Sequence, residues 1–68
     1  MEVPDDLATA LLGSPEAAEM FGRLNSQNRF AVLLRVHQAK RPETRQRRIR
    51  AFVDMLGRGE TIYPQRPR

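Results

Sequence analysis

Apolar positions along the chain recur at helical spacing in four blocks, each bounded by proline, serine or glycine. Leu7, Ala8, Leu11 and Leu12 fall at i, i+1, i+4 and i+5, the stripe of a short amphipathic helix over residues 4–12. Pro4 suits the first turn, and Asp5 and Asp6 complement the positive end of its dipole. Gly13 follows as an expected left-handed stop. Ser14-Pro15-Glu16 then restarts the chain, with serine a favoured N-cap and proline a favoured first helical residue. Ala17, Met20, Phe21 and Leu24 supply the inward face of this second helix, and Gly22 weakens its last turn.

Asn25-Ser26 is the next cap signal, with Ser26 the expected N-cap of a third helix over residues 27–39. Phe30, Leu33, Leu34 and His37 repeat at helical spacing, while Ala31, Val32 and Val36 widen the apolar girth. A helix apolar over so much of its circumference is expected at the centre of the domain. A strand over residues 30–36 is the rival, but no second strand is available to pair with it. Arg41-Pro42 makes the sharpest break, because the residue before proline is pushed out of the α region. From Pro42 a fourth helix runs to about Leu56, with Ile49, Phe52, Val53 and Leu56 at i, i+3, i+4 and i+7 and Met55 beside them. Gly57 and Gly59 are expected to end it. Residues 61–68 carry two prolines and no periodicity, an extended tail with Ile62 or Tyr63 pinned on the core and its last few residues mobile. The fold class is therefore all-α: a compact four-helix domain over residues 1–60 with short connections, packed around the third helix, followed by the tail.

Sixty-eight residues permit one small domain of thin stability. The absence of cysteine removes a disulfide framework and any thiolate metal site. No segment reaches the ~20 apolar residues of a membrane span, and the acidic opening Met1-Glu2-Val3-Pro4-Asp5-Asp6 lacks signal-peptide character. The expectation is a cytoplasmic protein. Charge is divided along the chain. Residues 1–22 carry −5 and residues 23–68 carry +9, within a net +4. Either the halves attract one another inside the fold, or a basic face meets an anionic partner.

Candidate chemistry is sparse. His37 is the only histidine and has no second ligand at metal spacing, so it reads as a structural residue at the core edge. Asp5/Asp6 and Glu16/Glu19 sit where helix dipoles favour them, and nothing sets them across a cleft as acid and base. No phosphate loop, nucleophile elbow or metalloprotease motif is present, so neither an enzyme, a cofactor nor a small-molecule substrate is expected. The basic run remains. Arg41, Arg45 and Arg48 recur at helical spacing along the fourth helix, with Arg47, Arg35 and Lys40 nearby, a face able to grip carboxylates or phosphates. The dull reading pairs Arg45 or Arg48 with Glu16, Glu19 or Asp54 on a solvated surface. The partner readings are an acidic protein surface, or the acidic first half of a second copy. The alternative is nucleic acid or another polyanion. Against it stand the shortage of free aromatic rings, since Phe21, Phe30 and Phe52 all read as buried, and the lack of a helix-turn-helix spacing.

At Ala39-Lys40-Arg41-Pro42-Glu43-Thr44-Arg45 the chain resembles the YdeI/OmpD-associated (OmdA-like) bacteriocin-protection family. The likeness continues through Arg48-Ile49 to Met55-Leu56, and Val3-Pro4-Asp5-Asp6-Leu7 and Leu24-Asn25-Ser26 match the opening helix and the loop before the long helix. It covers most of residues 3–60. The resemblance implies a small all-helical bacterial module with an association to bacteriocin or cationic-peptide tolerance. It carries over no catalytic residues.

Overall fold

A computed structural model of the protein describes residues 2–65. Among them the chain forms four helices and no strand: α1 (Asp5–Leu12), α2 (Pro15–Arg23), α3 (Ser26–Gln38) and α4 (Pro42–Gly57). The proline, serine and glycine boundaries are largely where the sequence sets them, and the cap geometry supplies the detail. Ser14 is extended and its hydroxyl accepts from the Ala17 N–H, closing the start of α2. Arg41 is extended before Pro42, the first residue of α4.

Three boundaries differ from the sequence reading. Gly13 is right-handed, not left-handed, with φ −78°. The chain leaves α1 through short-range bonds from Gly13 N to Ala10 O and from Ser14 N to Leu11 O, which need no positive φ. Asn25, not Ser26, caps α3: its side-chain oxygen accepts from the Asn28 N–H at 2.9 Å, while Ser26 is already helical. Gly57 stays within α4, and the reversal falls at Gly59, φ +75°. There Gly59 N donates to Leu56 O and Glu60 N to Met55 O, the paired bonds of a Schellman ending.

The centre of the domain also differs. α4 packs against each of the other three helices, most extensively against α2, whereas α3 meets chiefly α4. At 16 residues, about 24 Å, α4 is long enough to support three shorter partners. Leu7 and Leu11 of α1, Ala17 and Phe21 of α2, and Ile49 and Leu56 of α4 are buried together with Leu24. Val53, Phe52 and Met55 pack on that cluster half-buried, so the stripe expected of α4 is present.

α3 is turned relative to the expected stripe. Its core face is Asn28, Val32 and Val36, with Ala31 and Leu33 alongside. Phe30, assigned inward from spacing, and His37, placed at the core edge, are both exposed. Leu12 is exposed as well, at 82%. The reason is geometric: eight residues of α1 bury one narrow edge, and Leu7 and Leu11 fill it.

Beyond α4 the chain runs without helix or strand back to the α2–α3 junction, where Ile62 packs on the core. The anchor is polar. Asn28 is fully buried; its amide oxygen accepts from the Tyr63 N–H at 2.8 Å, and its NH2 donates to Tyr63 O at 3.0 Å. Gln65 completes the latch, accepting from Asn25 N and Asn28 Nδ2 and donating to Arg23 O, each at 2.9 Å. The expectation of a mobile end concerns residues 66–68, which lie outside the described residues.

Candidate interaction face

The arginines expected to form a continuous row are divided by the fold into two sets. Arg45, half-buried, makes a forked pair with Asp6 of α1, Nε to Oδ2 at 2.5 Å and an Nη to Oδ1 at 3.0 Å. Its other Nη reaches Val36 O at 3.5 Å. Arg48, also half-buried, donates to Arg35 O at 2.7 Å. Val36 and Arg35 belong to the last turn of α3, whose carbonyls carry the negative end of the dipole; Val36 O also accepts from the Ala39 N–H at 3.2 Å. Two guanidinium groups of α4 thus complete the C-terminal end of α3, and one of them also ties down α1.

These contacts replace the pairing expected from sequence. Neither Arg45 nor Arg48 reaches Glu16, Glu19 or Asp54; Glu19 pairs with Arg23 within α2. The charge on both sides of the Asp6–Arg45 pair is reinforced. The hydrogen bond from Arg45 holds the Asp6 carboxyl below its ordinary value, against a smaller opposing effect of burial, with a further contribution from the Leu7 N–H. The same bond raises the Arg45 guanidinium.

The second set stays in water. Lys40, Arg41 and Arg47 are exposed and have no ion-pair partner among the described residues; Arg50 is in the same condition. They come from the α3–α4 corner and the outer side of α4. Arg35 stands apart, half-buried on α3, its guanidinium approaching Ala31 O of its own helix at 3.5 Å. Of the six residues singled out from sequence, the fold leaves Lys40, Arg41 and Arg47 exposed and commits Arg45 and Arg48 to packing. His37 faces solvent, and among the described residues no three His, Cys, Asp or Glu side chains converge. Among the described residues no helix is long and apolar enough to cross a membrane.

The Asn28–Tyr63–Gln65 latch was not singled out from sequence. A signal for it exists: Asn28 stands at i, i+4 and i+8 with Val32 and Val36, a polar residue in register with β-branched core positions.

Among the described residues the regular structure is helical throughout, four helices in an all-α fold whose corners are braced by guanidinium groups. The chain belongs to the family described as Bacteriocin-protection, YdeI or OmpD-Associated, whose model matches residues 1–59. No curated protein and no solved structure gives a significant match.

Proposed function

We propose that the protein is a non-enzymatic interaction module of the bacterial cytoplasm that docks an acidic protein surface on the open cations Lys40, Arg41 and Arg47. One observation carries this reading: these side chains remain solvated and unpaired among the described residues, while Arg45 and Arg48 of the same helix are taken up internally. Solvated cations are free to exchange water for carboxylates, and a spread of them sets the orientation and rate of encounter with an acidic partner. The family description supports an association with bacteriocin protection, for which binding is the proposed route.

Duplex nucleic acid would need a run of phosphate contacts at regular spacing. Withdrawal of Arg45 and Arg48 interrupts the run that would supply them. The test is titration of the full chain with poly-L-glutamate and with duplex DNA, each at low and at physiological salt. Poly-L-glutamate binding at low salt, weakened roughly tenfold by the combined Lys40→Gln, Arg41→Gln and Arg47→Gln substitutions, is the expected outcome, at about 0.5 kcal/mol for each exposed charge. Binding to DNA with a steep salt slope and in preference to poly-L-glutamate overturns it in favour of a polyanion binder.

A further inference from the structure

Among the described residues three large apolar side chains remain in water: Leu12, Phe30 and Tyr63, at 82%, 53% and 38% exposure. They make two features of opposite shape. Phe30 and Tyr63 line a groove of about 380 Å³ on the outer side of α3, together with Ala31, Leu34, Arg35 and Gln38. Tyr63 is held there because Asn28 grips its backbone N–H and carbonyl. Leu12 is a knob: the last residue of α1, almost free of contacts with its own fold.

Charge sorts the two features in the same sense. Arg35 at the groove has no carboxylate partner among the described residues. On the knob's own helix, Asp5 lies two turns back on the same face; Glu16 follows four positions on in the sequence, in the first turn of α2. Both acids are exposed and without a cation among the described residues. The groove therefore offers an apolar slot beside an unmatched cation, and the knob an apolar side chain sharing its helix face with an unmatched anion. In the structure Leu12 stays in water, so a molecule does not fill its own groove.

We propose that Leu12 of one copy seats in the Phe30–Tyr63 groove of another, with Asp5 facing Arg35. The contact is head-to-tail: each copy keeps one knob and one groove unused, so association continues into a ring or an open chain rather than stopping at a two-fold dimer. One side chain in one groove is a small interface, which places the dissociation constant on the order of 0.1–1 mM. The contact uses none of Lys40, Arg41 or Arg47, so the triple glutamine variant should associate as the wild type does, and the two readings succeed or fail separately.

The test exploits the polarity of the contact. Sedimentation equilibrium on the full chain, up to millimolar concentration, should show the average mass rising. Leu12→Ser and Phe30→Ser each alter an exposed side chain, and circular dichroism checks that each variant retains its helices. Each alone should stay monomeric. Mixed in equal amounts, they should form a one-to-one dimer and nothing larger, because the intact knob of one meets the intact groove of the other. A wild type that is monomeric at millimolar concentration overturns the proposal. So does association of either variant alone, which would mean another face is used, and so does a mixture that fails to pair.

Discussion

Asn28 is the one polar side chain buried in the core among the described residues. Its NH2 group has two hydrogens, and three acceptors lie within reach: Asn25 Oδ1 at 3.1 Å, Tyr63 O at 3.0 Å and Gln65 Oε1 at 2.9 Å. Together with the bond it accepts from Tyr63 N, the carboxamide acts as a stand-in for a neighbouring strand, reading the tail through its backbone. No buried side-chain polar atom is left without a partner among the described residues. This satisfaction is what makes the position vulnerable. Asn28→Ala removes the partner of the Tyr63 N–H and a donor to Gln65 together, and should cost about 1–3 kcal/mol. Urea unfolding followed by circular dichroism checks the loss, which is a large share of the stability available to a domain this small. The residue was legible only in part. A capping asparagine and a serine competed at the start of α3, and a second asparagine three positions on reads as surface until its register with Val32 and Val36 is noticed. Its partners, 35 and 37 residues distant, leave no local trace.

At the scale of elements, the two glycines near helix ends have opposite requirements. Gly59 holds φ +75° to close the Schellman ending of α4. A side chain there meets the steric cost of the left-handed region, so Gly59→Ala should lower stability by about 1–2 kcal/mol. Gly22 is helical, and a Cβ added to it would meet nothing within 4 Å. Gly22→Ala should therefore raise stability by about 0.5–1 kcal/mol. Thermal unfolding of the two variants in parallel reads both signs. The elements themselves were legible, because Ser14-Pro15, Arg41-Pro42 and Gly57–Gly59 are local stereochemical instructions. Which face of α3 turns inward was not. Phe30 is the largest apolar residue of that helix and draws the expected stripe toward itself, whereas the packing keeps only Leu33 of that stripe fully buried and adds Ala31, Val32 and Val36. Close approach to α4 suits small side chains, and ring area alone does not decide orientation.

For the whole molecule, the forked Asp6–Arg45 pair links the first helix to the last across 39 residues. Because the folded state lowers the Asp6 pKa, the pair contributes stability above the ordinary carboxylate value of 3.8 and loses it as pH falls through the lowered folded value. Both partners are partly exposed, 27% for Arg45 and 46% for Asp6, which limits the contribution to about 1 kcal/mol. Asp6→Asn should thus melt up to about 4–8 °C below the wild type near neutral pH. The gap should close in strong acid and narrow in high salt. The division of charge between the two parts of the chain was plain from sequence, but the specific pairing was not, since charge counts fix no geometry. The hub was likewise misjudged: α3 has the wider apolar girth, while α4, with arginine on much of its surface, meets all three other helices. Arginine stems and guanidinium groups cap and brace neighbours as readily as they face water, so a basic helix can still be central.

Tyr63 is the sole tyrosine, and the chain has no tryptophan. Ultraviolet emission excited at the tyrosine band therefore arises from one ring, at the point where the returning tail meets Asn28. The protein carries a built-in optical reporter, and its polarisation and quenching follow the release of that segment independently of the unwinding of the helices seen by circular dichroism.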